Sequence, residues 1–301
     1  MSLGCYPTPV VELTRLAPRL WIKRDDLCAD PMGGNKARAL EFLLADVHPG
    51  DHVVTVGSAG STHALAVVTY ASRLGARVSV GRWRQEMNAT AVRVARRLVH
   101  AADAAPLFRT PLGAYAWSWR ERRRGARWIA AGGSTPLGIL GHVNAGLELV
   151  AQIESGMLPQ PERVIVPLGT GGTAAGLALA FRVARRDIHV VGVRVVPRIV
   201  GRRRRVLRLA AGTARLIERI TGEDVARVRR GDISVVHQAY GGAYGRESEA
   251  ARAAADRLRV DSEIRLDPTY SAKAFGVALE AASGGPTLFW LTFDPRILDT
   301  P

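Results

Sequence analysis

A lysine two positions after a glycine pair, Lys36, is the residue of this chain best placed for nucleophilic chemistry. Gly33 and Gly34 allow the backbone to approach a bound group closely, and apolar residues at helical spacing follow from Leu40. If such a lysine is held in a pocket, desolvation lowers its pKa, and the neutral amine can attack a carbonyl group. Most lysines are solvated surface charges, so these residues alone favour the surface alternative, and other segments must decide.

A glycine-rich turn between a buried-type strand and a helix is the second candidate; it reads Gly169-Thr170-Gly171-Gly172-Thr173. Its successive backbone N–H groups can converge on an anion, and the two threonine hydroxyls add donors. The turn lacks the Lys-Ser/Thr pair of a triphosphate loop, and the next strand ends without the acidic residue of a dinucleotide site. The pattern therefore favours a single phosphate group, with a purely structural turn as the alternative.

Hydroxyl side chains at the ends of predicted strands form a third set. Ser61 and Thr62 lie in the small-residue turn 57–63, where either one can cap the helix that follows, and Thr292 ends the last strand. A nucleophilic lysine, a monophosphate site and such hydroxyls together point to pyridoxal phosphate. Lys36 would bind its aldehyde, the 169–173 turn its phosphate, and one hydroxyl its pyridine nitrogen. The seven histidines show no zinc-binding spacing.

The elements that must position these residues alternate between strands and helices. This order predicts an α/β fold with parallel sheets, in which ligands lie at the carboxyl ends of the strands. Strands are predicted at 20–24, 52–56, 77–80, 128–130, 163–168, 190–193, 233–236 and 287–292. Helices are predicted at about 36–47, 64–74, 88–100, 114–124, 141–154, 177–184, 203–221, 247–258 and 272–282.

Composition bounds the class of protein. The 301 residues are 47% hydrophobic, which fits a soluble globular protein large enough for two domains. Neither an apolar stretch of membrane-spanning length nor a signal peptide is visible. Cys5 and Cys28 have no metal or redox spacing, so we expect free thiols and a cytoplasmic location.

The net charge of +15 comes almost entirely from arginine, since lysine occurs only at positions 23, 36 and 273. Arginine clusters lie at 120–127, 202–205 and 227–230. A charge of this size makes nucleic-acid affinity conceivable. Apart from Trp117-Ser118-Trp119-Arg120, the clusters do not alternate with aromatic residues in the manner of a recognition module. We therefore expect compositional bias at the surface and no nucleic-acid partner.

Several motifs, in the same order along nearly the whole chain, resemble the 1-aminocyclopropane-1-carboxylate (ACC) deaminase / D-cysteine desulfhydrase family. Members of this family are pyridoxal-phosphate enzymes of fold type II, which is the tryptophan synthase β-like fold. The resemblance implies two domains, each a mostly parallel twisted sheet flanked by helices, and a homodimer. We expect a large domain formed by 1–44 and 149–301 and a small domain at 45–148. The matching segments are 21–27, 33–46, 57–63, 132–138, 141–143, 169–173 and 266–270.

The resemblance also implies roles for individual residues. Lys36 would bind the cofactor covalently, and catalysis would involve Lys36, Ser61 and Tyr270. Thr292 would face the pyridine nitrogen, where a hydroxyl favours an unprotonated ring and suits β-elimination. Other contacts to the cofactor would come from Asn35, Thr62 and the turn Gly169, Thr170, Gly171, Gly172 and Thr173. Contacts to the substrate would come from Ser61, Thr62, His63 and Tyr270.

The chain departs from the family pattern around this site. Thr62 replaces an asparagine, Leu65 an arginine, and His142 a tyrosine, while Phe293-Asp294 replaces two glycines. Ser271 stands where enzymes that open the cyclopropane ring carry glutamate, which counts against that reaction. The cofactor is thus expected to be retained while the substrate differs.

The leading hypothesis is a lyase that removes the α-proton of a small amino acid, such as D-cysteine, and expels a β-substituent. A second hypothesis keeps the cofactor but assigns β-replacement, racemisation or a specialised biosynthetic step. A third, of a different class, is a catalytically silent cofactor-binding or nucleic-acid-associated protein. The presence of Lys36 and of the 169–173 turn argues against the third.

Overall fold

Two separate, mostly parallel sheets organise the chain, which the computed structural model describes over residues 2–30 and 32–298. The strands are β1 (Val10–Glu12), β2 (Leu20–Arg24), β3 (His52–Ser58), β4 (Arg77–Trp83), β5 (Leu107–Phe108), β6 (Arg127–Ile129), β7 (Arg163–Leu168), β8 (His189–Arg194), β9 (Ile233–Val236) and β10 (Thr287–Leu291). The larger sheet has the order β1-β2-β10-β7-β8-β9, and the smaller has the order β5-β4-β3-β6.

Nine helices of nine residues or more lie in the described part of the chain. They are α1 (Asn35–Leu43), α2 (Thr62–Arg73), α3 (Ala89–Ala101), α4 (Pro111–Arg123), α5 (Pro136–Glu154), α6 (Gly172–Val183), α7 (Arg203–Thr221), α8 (Glu249–Ser262) and α9 (Ser271–Ala282). All of the strand pairs are parallel except β1 with β2, so the prediction of mostly parallel sheets flanked by helices is confirmed.

The central strands of the larger sheet are apolar because helices cover both faces of the sheet. All five residues of β10 are buried. On one face Trp290 packs in a cluster with α5, α6 and α7, which includes Phe181. On the other face Phe289 meets Phe275 of α9 with ring centroids 5.2 Å apart. A third cluster joins the smaller sheet to α1 and α2.

Helix α5 meets its neighbours at glycines. A Cβ atom built on Gly141 would lie 1.9 Å from the carbonyl oxygen of Arg38 in α1. A Cβ on Gly146 would lie 2.4 Å from the Cβ of Ala180 in α6, and one on Gly176 of α6 would lie 2.4 Å from the Cβ of His142. At these points α1, α5 and α6 lie so close together that no residue larger than glycine fits.

Some boundaries differ from those predicted. Helix α5 begins at Pro136 and not at 141, because the Thr135 side chain caps it by accepting the N–H of Gly138 at 3.3 Å. The short strands β1 and β5 were not predicted. The smaller sheet is built entirely from residues 52–129, and both ends of the chain contribute to the larger one. The domain boundaries at 44/45 and 148/149 stay a prediction.

Candidate active site

Lys36 lies in the first turn of α1, which is fixed to the end of β10. The Asn35 N–H donates to the carbonyl of Thr292 at 3.1 Å, and a side chain at Gly34 (φ 125°) would collide with that same carbonyl. The Lys36 Nζ donates to Asn35 Oδ1 at 2.8 Å, and Asn35 Nδ2 donates to Thr173 Oγ1 at 2.7 Å. The structure thus brings the lysine, Asn35 and the 169–173 turn together.

The surroundings of Lys36 destabilise its protonated form relative to that of an exposed lysine. Burial lowers its pKa to about 8, and the charge of Asp267 opposes this shift. Two imidazoles, His63 and His142, have pKa values of about 3, lowered first by burial and then by the charge of Lys36. Both are therefore neutral at pH 7. An amine with a pKa near 8 is a far better nucleophile at neutral pH than an ordinary lysine.

The 169–173 turn leads from β7 into α6, with Gly171 in the left-handed region at φ 97°. The N–H groups of the first turn of α6 have no acceptor within the helix, as at every helix start, and they suit an anion. A second glycine-containing turn, Ala131–Gly133, leads to Ser134. Ser134 closes one side of the 169–173 turn, because its Oγ lies 2.6 Å from Thr170 Oγ1. A Cβ atom on Gly172 would lie 2.8 Å from Ser134 Oγ. This is the form expected of a phosphate cradle.

His142 packs against this cradle from α5. It is 2% exposed, and a Cβ atom on Gly172 would lie 3.6 Å from its ring. Its Nδ1 has no hydrogen-bond partner among the described residues. A buried polar atom without a partner beside a helix N-terminus fits a site that binds a polar group.

Ser61 and Thr62 open helix α2 at the carboxyl end of β3, and both are buried. The Ser61 hydroxyl caps the helix by accepting the Ala64 N–H at 3.2 Å, and the Thr62 side chain lies near the Tyr270 hydroxyl and acts to lower its pKa. His63 turns toward the smaller sheet, where its Nε2 pairs with Thr55 Oγ1 at 3.2 Å. The serine and the threonine thus share one region with Tyr270, while one ring nitrogen of the histidine is already engaged.

Tyr270 precedes α9 and forms a pair with Tyr244. The two hydroxyls are hydrogen-bonded, and the rings meet edge to face with centroids 5.8 Å apart. Burial raises the pKa of both tyrosines, so each keeps its proton at neutral pH. Asp267 fixes the backbone here, because it accepts the N–H groups of Tyr270 at 2.7 Å and Ser271 at 3.0 Å. Sequence reasoning missed Tyr244, which lies in an irregular glycine-rich segment without any pattern.

Thr292 follows β10 and is buried beside the start of α1. Phe293 packs in the cluster shared by α1, α2 and the smaller sheet, and Asp294 pairs with Arg296 at 2.8 Å. The two residues that replace glycines are therefore engaged with other parts of the chain, and Phe293 belongs to the core.

A buried cluster of charged side chains holds α1 against its neighbours. The Arg38 guanidinium bridges Asp25 at 2.7 Å and Glu148 at 2.9 Å. Lys23 donates to Glu148 at 2.5 Å and to Gln152 Oε1 at 2.6 Å. We call these residues the ionic cluster. It joins β2, α1 and α5, and it fixes the helix that carries Lys36.

Comparisons with known proteins agree with this geometry. The family described as "Pyridoxal-phosphate dependent enzyme" matches residues 1–291. The chain therefore belongs to this family, and its cofactor is pyridoxal 5'-phosphate. The cradle and the lysine fit that cofactor. No group of His, Cys, Asp and Glu side chains within 2–30 and 32–298 could hold a metal ion, and no helix in those ranges is long and apolar enough to cross a membrane.

Individual relatives indicate the part of this family to which the chain is similar. Nocardicin C-9' epimerase of Nocardia uniformis subsp. tsuyamanensis is 36% identical, over 96% of this chain and 91% of that protein. A D-cysteine desulfhydrase of Salmonella typhi is 29% identical, over 94% of this chain and 90% of that protein. The crystal structure of an ACC deaminase homologue has a TM-score of 0.80 at 26% identity, covering 97% of this chain and 90% of that one. The predicted family and fold type are confirmed.

The lowered pKa of Lys36 predicts how cofactor-free protein takes up pyridoxal phosphate. Only the neutral amine attacks the aldehyde, so the attachment rate should rise with pH and level off above about pH 8. The growth of visible absorbance after mixing, measured from pH 6 to pH 10, gives this rate. An attachment rate that still rises steeply between pH 8 and pH 10 would show an ordinary lysine at this position.

Proposed function

We propose that the protein inverts the configuration of an amino acid at Cα, by removing the α-proton on one side and supplying a proton on the other. This proposal rests mainly on two separate groups that can carry a proton near the phosphate cradle. They are Lys36 and the Tyr270–Tyr244 pair. Two such groups allow one to remove the α-proton and the other to supply a proton on the opposite side, whereas elimination needs a base only to remove the α-proton. The higher identity to an epimerase than to a desulfhydrase supports the same choice.

In this proposal the first turn of α6 and the residues from Gly169 to Thr173 bind the phosphate of the cofactor. Asn35 aligns the lysine with this turn through its hydrogen bonds to both. Thr292 faces the pyridine nitrogen, and Thr62 contacts the cofactor where the family carries asparagine. When bound, pyridoxal phosphate supplies the electron sink that acidifies the Cα–H bond of an attached amino acid.

Lys36 acts as the base at Cα, since its pKa of about 8 lets it exchange protons near neutral pH. Tyr270 supplies the second proton, because burial keeps its hydroxyl protonated and Tyr244 holds it in place. Ser61 lies at the buried start of α2, where the free N–H groups suit the substrate carboxylate. A substrate contact by His63 stays a prediction, as do the homodimer and the cytoplasmic location.

The proposal is tested by incubating the holoenzyme with single enantiomers of amino acids in D₂O. Inversion places deuterium at Cα of both enantiomers, which chiral chromatography with mass spectrometry detects. In Tyr270→Phe we expect inversion to fall by about 10²-fold or more, while exchange on the Lys36 side persists. If no tested amino acid exchanges its α-hydrogen, the proposed function is wrong.

β-Elimination is the second candidate, favoured by the desulfhydrase relatives and by the hydroxyl of Thr292 at the expected ring position. After the same α-proton is removed, D-cysteine would release sulfide and yield pyruvate and ammonia. The same incubations distinguish the two candidates, because elimination consumes the amino acid and releases a keto acid. Keto-acid release that outpaces inversion would select elimination.

A further inference from the structure

Three aromatic side chains form a continuous surface beside the candidate active site, which we call the aromatic wall. Tyr115 of α4 stacks on Trp83 with ring centroids 6.3 Å apart and planes at 21°. On its other side it meets Trp128 of β6, at 6.1 Å between centroids. Tyr115 is 42% exposed, and both tryptophans are partly exposed. Arg122 lies over the Trp128 ring at 5.5 Å from its centroid, yet all three rings keep part of their surface open to solvent, which is costly for aromatic rings that serve only the core.

Trp83 ties the wall to the turn that carries Ser61. It is the last residue of β4 and pairs in register with Ser58, whose side chain lies near the Tyr244 hydroxyl and acts to lower its pKa. The Trp83 carbonyl accepts the N–H of Ala59 at 2.8 Å. Because paired residues of a parallel sheet point to the same face, the Trp83 ring and the Ser58 side chain lie on one side of the sheet. The wall thus begins beside the Tyr244–Tyr270 pair.

The other end of the wall is linked to the phosphate cradle through the chain. After Trp128 the chain leaves β6 and passes through the turn Ala131–Gly133 to Ser134, which touches Thr170. Arg205 of α7 donates to the Thr170 carbonyl at 2.9 Å. Its charge also acts on the Tyr115 hydroxyl, whose pKa burial raises and Arg205 lowers. A cation therefore lies at the edge of the cradle, within electrostatic range of the aromatic wall.

We infer that the aromatic wall and Arg205 bind the side chain of the substrate, and that this side chain is a flat aromatic ring bearing an anionic group. This inference rests on the proposed function and replaces the expected small amino acid by a larger one. Stacked rings select flat groups by face contact, and a guanidinium beside them selects a carboxylate. An amino acid as small as D-cysteine would leave both unused.

The test compares alanine, phenylalanine and 4-carboxyphenylalanine as racemates on the holoenzyme. Dissociation constants come from spectral titration, and kcat/KM comes from α-hydrogen exchange. We expect 4-carboxyphenylalanine to bind at least about tenfold more tightly than alanine. Tyr115→Ala should reduce this ratio to near one, and Arg205→Gln should remove the preference for the carboxylated ring over phenylalanine.

Trp119→Ala is the matched control, because Trp119 is an exposed aromatic residue on the same helix that stacks with Arg123 and not with the wall. This variant should keep the wild-type ratio. The inference is overturned if the wild-type protein binds alanine as tightly as the carboxylated ring, or if Tyr115→Ala preserves the ratio. Selective binding without α-hydrogen exchange would contradict the proposed function and leave the wall as the binding surface.

Discussion

Replacing Lys36 with alanine is expected to abolish the visible absorbance of covalently held cofactor and to lower α-hydrogen exchange by about 10³-fold or more. The amine is both the attachment point and the proposed base, so its loss removes two functions. Its pKa of about 8 and its hydrogen bond to Asn35 set it apart from an ordinary surface lysine. Absorbance spectra of the purified protein and exchange rates in D₂O measure the two effects.

The chain offers an internal control, since it contains only two other lysines. Lys23 is bound to Glu148 within the ionic cluster, and Lys273 donates to the Tyr240 carbonyl at 2.9 Å. Borohydride reduction followed by peptide mass analysis should place the cofactor on Lys36 alone. Lys273→Met, which also removes a buried lysine, should keep the label. A label on Lys23 or Lys273 would overturn the assignment of Lys36.

Replacing Arg38 with methionine is expected to lower the free energy of unfolding by about 3–5 kcal/mol. The Arg38 and Asp25 side chains are 3% and 1% exposed, and the guanidinium also binds Glu148. Its removal leaves two buried carboxylates with Lys23 as the remaining cation of the ionic cluster. Urea unfolding of cofactor-free Arg38→Met and wild-type protein measures the difference.

A surface ion pair supplies the control for this variant. Arg259 faces Asp256 at 3.8 Å with both side chains largely exposed, so Arg259→Met should leave the unfolding midpoint unchanged. Adding Asp25→Asn to Arg38→Met should recover part of the loss, because one unpaired charge disappears. Equal midpoints for Arg38→Met and Arg259→Met would show that the ionic cluster does not stabilise the fold.

The ionic cluster also gives the stability a pH dependence. Burial acts to raise the pKa of Glu148, but hydrogen bonds and charge from Arg38 and Lys23 hold it below its ordinary value. A carboxylate whose pKa is lowered in the folded state stabilises fully above its unfolded pKa. That stabilisation is lost as the pH falls through the folded value, so the contribution of Glu148 disappears in acid.

The parts of the site that the sequence predicts are those carried by short segments. Lys36 with its glycine pair, the 169–173 turn and Ser61 at a helix start are each recognisable within about ten residues, and strand–helix alternation places them at one edge of the sheets. The structure brings these three segments together around Asn35, Thr173 and Tyr270. Their roles in the reaction stay proposals.

The parts that the sequence does not predict depend on contacts between distant segments. Tyr244 meets Tyr270 and Ser58, which come from distant segments, and its own neighbours in the chain form no regular element. Lys23 reaches Glu148 across 125 positions, which no local pattern encodes. Phe293, where the family pattern has glycine, is buried in the core by packing against distant segments, which no local pattern indicates.

The glycine contacts of α5 limit which substitutions can alter the substrate specificity of the protein. Where Gly141 meets the Arg38 carbonyl and Gly176 meets His142, the backbones themselves set the spacing, and no side chain acts as an adjustable spacer. These backbone contacts therefore fix the distance between Lys36 and the phosphate cradle at a value that suits one cofactor. A new substrate specificity must arise from substitutions elsewhere, such as in the aromatic wall. The geometry that binds the cofactor then stays the same in every variant.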